Sequence, residues 1–195
     1  MKAPSVMRVI SVIGFLAILP VPGYALTRAM AADWTSEVAP DRKPVAEGHT
    51  EWLKRAIVLE KKKDWQLLLD WCRLWADSES ENVAAWYNLG ITYYELKRYN
   101  EAVEAYRQAM RIDPGHAAVW TNLGAAYHVL DRYNEAIEAY RQAIRIDPKD
   151  ALAWYNLGDA YGHSGNNTAA LGAVRELRRL DPALADKLFK LIAPR

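Results

Sequence analysis

The chain has little cysteine and little phenylalanine, one of the former and two of the latter in 195 residues. A single cysteine, Cys72, excludes an internal disulfide framework and reads either as a small buried hydrophobe or as an intermolecular disulfide or reactive thiol. Charge of one sign is also missing. With 25 basic and 24 acidic residues there is no basic excess to attract nucleic acid. No Ser/His/Asp set, phosphate-cradling glycine loop or Cys/His cluster is evident, which argues against an enzyme and against a cofactor. Asp159 and His163 stand at i, i+4, but two ligands without a third do not make a metal site.

What the chain has in plenty is tryptophan, eight in all, and a repeat. Setting residues 86–114 above 120–148 gives 21 identities in 29 ungapped positions, and residues 154–182 keep the frame with looser spelling. Each copy carries Trp-x2-Leu-Gly-x2-Tyr: Trp86, Leu89, Gly90 and Tyr93; Trp120, Leu123, Gly124 and Tyr127; Trp154, Leu157, Gly158 and Tyr161. An alanine follows nine residues after each tyrosine (Ala102, Ala136, Ala170), and Pro114, Pro148 and Pro182 close the units. The pattern resembles the tetratricopeptide repeat, which has this period and signature. The resemblance covers a little over half of the chain and implies an all-α solenoid of paired antiparallel helices. In the third copy Val174 and Leu177 replace the expected aromatic and alanine.

The residues lead to the same fold. Trp86, Leu89, Gly90 and Tyr93 fall at i, i+3, i+4 and i+7, one face of a helix. A second helix reads from Tyr99 to about Arg111, with Ala102, Tyr106 and Ala109 on its inner face. Glycine inside a helix costs roughly 1 kcal/mol against alanine, so three glycines at one register predict close approach of the paired helices. The units are 83–116, 117–150 and 151–184.

Residues 49–82 fall in the same frame as a degenerate first unit: Trp52 matches Trp86, Ala56 matches Gly90, and Cys72 stands where Tyr106 and Tyr140 recur. Trp71 and Trp75 are expected to cover the open end of the stack, and Lys61–Lys63 to form a solvated turn. At the other end Asp181 and Pro182 start a helix. Leu184, Leu188, Leu191 and Ile192 recur at helical spacing, so residues 185–195 read as a capping helix ended by Pro194.

Lys2 and Arg8, an apolar run at 9–19 and small-residue sites at Ala25 and Ala31 describe a secretory signal over residues 1–31, with an uncleaved membrane anchor as the alternative. Residues 32–48 read as a flexible tether in which Trp34 is an exception. Removal of 1–31 leaves a net charge of about −2, and the small-residue cleavage site suits a bacterial periplasm.

Differences between the copies carry the functional signal. Tyr87/Thr121, Ile91/Ala125, Tyr94/His128 and Glu95/Val129 form one stripe on the first helix, continued by Tyr155, Asp159, Gly162 and His163 in the third copy. In the family this resembles, the concave surface binds a peptide or partner segment, and a varied stripe on a constant scaffold is the expected groove. Within it Asn88, Asn122 and Asn156 do not vary. They either form a ladder on a ligand backbone, as similar asparagines do in O-linked N-acetylglucosamine transferases, or bridge neighbouring helices of the scaffold. A basic clamp for a carboxy-terminal carboxylate is absent, its places being held by Tyr87, Ile91, Thr121 and Ala125. Glu104, Arg107 and Arg111, with Glu138, Arg141 and Arg145, read as a solvated outer face. The expected function is a non-catalytic scaffold holding a protein segment of unknown identity, the alternative a self-assembling or structural component of an envelope complex.

Overall fold

The computed structural model describes residues 49–193. The signal or anchor reading, the tether with Trp34, and Pro194 lie outside the described residues. Among the described residues there are nine helices and no strand: α1 (His49–Lys62), α2 (Trp65–Ser78), α3 (Val83–Glu95), α4 (Tyr99–Ile112), α5 (Ala117–Val129), α6 (Tyr133–Ile146), α7 (Ala151–His163), α8 (Asn167–Leu180) and α9 (Pro182–Ile192). None of these is long and apolar enough to cross a membrane.

Each helix packs on the next in sequence, and the first helices of successive full units, α3, α5 and α7, also touch one another. They therefore lie on the inside of the curve. Short polar side chains start several helices by accepting from their own first-turn amides: Asp64 from Leu67, Asn82 from Ala84, Asp150 from Leu152 and Ala153, Asn166 from Ala169, and Asp181 from Leu184. Each turn inside a hairpin has one residue in the left-handed region, at Lys63 (φ 56), Lys97 (φ 61), Asp131 (φ 58) and Gly165 (φ 82). The regular spacing of these four is the repeat expressed in backbone.

The signature tryptophans hold the turns between units. Trp86 Nε1 donates to the Ser80 carbonyl at 2.7 Å, Trp120 to Pro114 at 2.9 Å and Trp154 to Pro148 at 2.9 Å. The signature tyrosines hold the outer layer: Arg73 Nε donates to the Tyr93 hydroxyl and Arg107 Nε to that of Tyr127, each at 3.1 Å. Arg98 and Arg132 lie over the same two rings at 4.8 and 4.6 Å. Arg107 is thus a bridge between units as well as a partner of Glu104 at 2.9 Å, which corrects its reading as outer-face charge alone.

The glycines do what their spacing predicts. A Cβ on Gly124 would stand 2.6 Å from the Tyr140 ring, and Gly90 is pressed in the same way by Tyr106. At the other two units the large partner changes, and in the degenerate one the small partner changes with it. Ala56 and Cys72, in the Gly and Tyr places of the degenerate unit, are both fully buried in one cluster. In the third unit, where Val174 stands in the tyrosine's place, a Cβ on Gly158 would meet Leu188 of α9 at 2.5 Å.

Trp75 has no exposed surface and lies in the cluster that joins α1 and α2 to Ala85 and Leu89 of α3 and Ala105 of α4. Trp71 belongs to the same cluster. Trp75 thus belongs to the seam with the first full unit instead of covering an open end, while the Trp71 ring lies under the Arg55 guanidinium of α1 at 4.6 Å. Cys72 Sγ is 3.7 Å from Thr92 Oγ1, and burial pushes its thiol up to about 12. That is the buried small hydrophobe of the two readings.

Candidate functional site

The varied stripe runs along α3, α5 and α7, the helices on the inside of the curve. Most of it is packed away. Tyr87, Ile91, Thr121, Ala125, His128, Tyr155 and Asp159 are buried, as are Asn88, Asn122 and Asn156. Tyr94 and Gly162 are half-buried, and Glu95, Val129 and His163 are exposed. The exposed residues sit at the carboxy-terminal ends of the inner helices, so the accessible surface is the end of the stripe and not its whole length. Residues that turn the same way from one helix are covered when the next helix packs at the same level, and a single-helix projection contains no neighbour.

The asparagines have separate surroundings. Asn122 Nδ2 donates to the Tyr87 hydroxyl at 3.0 Å, a bond from α5 to α3. Asn88 Nδ2 donates to the Ala84 carbonyl at 2.7 Å within its own helix, and its Oδ1 has no hydrogen-bond partner among the described residues. Asn122 is therefore a bridge between neighbouring units. Burial, opposed by that bond, raises the pKa of the Tyr87 hydroxyl, and burial does the same at Tyr94. Glu95 is raised by partial burial and by the nearby Glu60 carboxylate, with Lys63 opposing.

Asp159 and His163 have a third companion that the sequence spacing conceals. His128 comes from α5, one unit earlier, and its Nε2 lies 3.3 Å from Asp159 Oδ2. His163 Nδ1 lies 3.3 Å from Asp159 Oδ1 and 3.0 Å from the Asp159 carbonyl oxygen. One ligating atom from each of the three lies within 4.8 Å of the others. The expectation of two ligands without a third is corrected: packing of α7 on α5 supplies it. Tyr133 of α6 stacks on His163 at 5.2 Å and meets His128 edge-on at 5.2 Å. Its hydroxyl is pushed up to about 12, mainly by its bond to Asp131.

Tetratricopeptide repeat families match residues 83–116, 105–138 and 151–183, and a TPR repeat family matches 129–165. Together they span residues 83–183, just over half of the chain. No curated protein matches it. Among solved structures it resembles a crystal structure of MamA, with 23% identity and a TM-score of 0.63 over 70% of this chain and 90% of that one. It is also similar to the first TPR of Spaghetti (RPAP3) bound to the HSP90 peptide SRMEEVD, with 21% identity and a TM-score of 0.55 over 57% and 90%. The Arabidopsis OM64 TPR domain gives 24% and 0.54 over 56% and 93%. With its family signature and its paired helices both in place, the chain belongs to the tetratricopeptide repeat family of protein-interaction scaffolds.

Proposed function

We propose that this scaffold is non-catalytic and holds an extended segment of a partner protein along the inner surface of α3, α5 and α7. The carrying observation is the accessible end of the varied stripe, with Glu95, Val129 and His163 exposed and Tyr94 half-buried, on a frame that otherwise repeats. Tyr94 offers aromatic contact area. Partial burial and the nearby Glu60 carboxylate make Glu95 costlier to ionise, so a basic side chain of the segment is favoured opposite it. A segment that orders on binding loses conformational entropy, and modest affinity follows.

Export through residues 1–31 is part of the same proposal, with a bacterial periplasm as the destination and an uncleaved anchor as the alternative. Amino-terminal sequencing of the protein recovered from its cells tests it. A start at Leu26 or Ala32 supports cleavage, and an intact Met1 sinks it.

The groove is tested by photo-crosslinking in the native cell, with the probe at Tyr94 and, separately, at Glu104 on the outer face. A discrete adduct at Tyr94 alone supports a groove-held partner. Adducts only at Glu104, or only with itself, move the weight to a second reading, association of the stack with itself or with an envelope complex through its ends or outer face. Phe189 and Leu191, large apolar residues exposed on α9, are the observation that favours it. A concentration-independent monomer in light scattering counts against self-association.

A further inference from the structure

We propose that His128, Asp159 and His163 form a site for one divalent transition-metal ion of the zinc type. The cluster joins two units: His128 is on α5, while Asp159 and His163 are on α7. Asp159 is only 2% exposed, and its Oδ1 has no hydrogen-bond partner among the described residues; neither has His128 Nε2, although each lies 3.3 Å from a group of the triad. These atoms are close but poorly directed for hydrogen bonds to one another. A buried carboxylate needs a cation or directed donors, and an ion between the three groups would meet that need.

The geometry suits this chemistry. Zinc bonds of about 2.0–2.2 Å set ligand atoms about 3.4 Å apart at tetrahedral angles. His128 Nε2 is 3.3 Å from Asp159 Oδ2 and His163 Nδ1 is 3.3 Å from Asp159 Oδ1, so each histidine stands at that spacing from its own carboxylate oxygen. No pair is further apart than 4.8 Å, and the exposed His163 ring closes the remainder by turning from the Asp159 carbonyl. Two imidazoles and one carboxylate select the borderline transition metals over calcium or magnesium, which prefer all-oxygen sites. His128 and His163 stand at the last turns of α5 and α7, where the helix dipole favours positive charge. At the preceding junction the same three places hold Tyr94, Ala125 and Val129. The cluster is therefore not a by-product of the repeat.

The test is calorimetric titration of the purified chain with zinc chloride, with cobalt(II) absorption as a second readout. One ion per chain is expected, with visible cobalt bands that zinc abolishes and a melting temperature raised by either ion. His163→Ala alters an exposed side chain and Asp159→Asn keeps the shape. Each is expected to weaken binding by at least about tenfold, since even loss of a supporting outer residue costs that much, while circular dichroism stays unchanged. Absence of binding by the parent would overturn the proposal. Equal affinity in the parent and in His163→Ala would overturn it too, as adventitious binding elsewhere.

Discussion

Asn122 and Tyr87 are hydrogen-bonded across two units, amide to hydroxyl at 3.0 Å, with both side chains buried. The bond decides what this asparagine does at rest, since its amide donates to the scaffold. Tyr87→Phe leaves that donor buried without its acceptor and is expected to cost about 1–3 kcal/mol. Tyr140→Phe provides the contrast, because the Tyr140 hydroxyl is buried without a partner among the described residues. Its removal is expected to leave the melting temperature unchanged or to raise it. Equal losses in the two variants would refute the distinction.

The small-against-large packing gives a second pair. Leu188→Ala empties the hollow beside Gly158 and is expected to cost about 2–5 kcal/mol. Gly124→Ala drives a Cβ to 2.6 Å from the fully buried Tyr140 ring. Overpacking of that kind costs about 1–3 kcal/mol, more than the roughly 1 kcal/mol that alanine adds in helix propensity. Denaturant melts measure both, and a Gly124→Ala variant more stable than the parent would contradict the contact.

Lys97 is held at φ 61, where a side chain costs about 1–2 kcal/mol. Lys97→Gly is expected to stabilise the chain by up to about 1 kcal/mol, and Gly165→Ala to destabilise it by a similar amount. Opposite shifts in thermal melts are the expected result.

The periodicity of the sequence contained the helices, their pairing and the need for glycine in the first two full units, because each rests on neighbours within one 34-residue unit. The seam role of Trp75, the bridging by Arg107 and the third member of the His–Asp–His cluster were not legible. All three depend on which residues of adjacent units come to the same level. The 35 positions between Tyr87 and Asn122 hint at such a relation, one period plus one residue, but many pairs share that spacing. The exposed groove was overestimated for the same reason.

His116 precedes α5, its ring 5.6 Å from that of Tyr87. Burial lowers its pKa below the usual 6.5, with Asp113 opposing. On acidification the unfolded chain takes up this proton before the folded one, so stability falls as pH drops below about 6.5 and stops falling once the folded imidazole is also charged. His116→Gln is expected to make the decline in melting temperature between about pH 7 and pH 5 shallower. Identical slopes would exclude the contribution.

Cys72, with its thiol pushed up to about 12 and no exposed surface, is expected to react with a disulfide reagent at about pH 8 only as fast as the protein unfolds. Immediate stoichiometric reaction would return the reactive-thiol reading.

Leu188 beside Gly158 also limits how such a chain can grow. A unit inserted between the first two full copies finds a tyrosine for its glycine within its own sequence. One appended after the third would displace α9 and leave Gly158 without Leu188, with the Ala173 Cβ, 3.2 Å from a Cβ placed there, as the neighbour that stays. A unit added at the carboxy-terminal end has therefore to bring its own large side chain for Gly158 in place of the borrowed leucine, a demand that duplication upstream of Trp154 does not make.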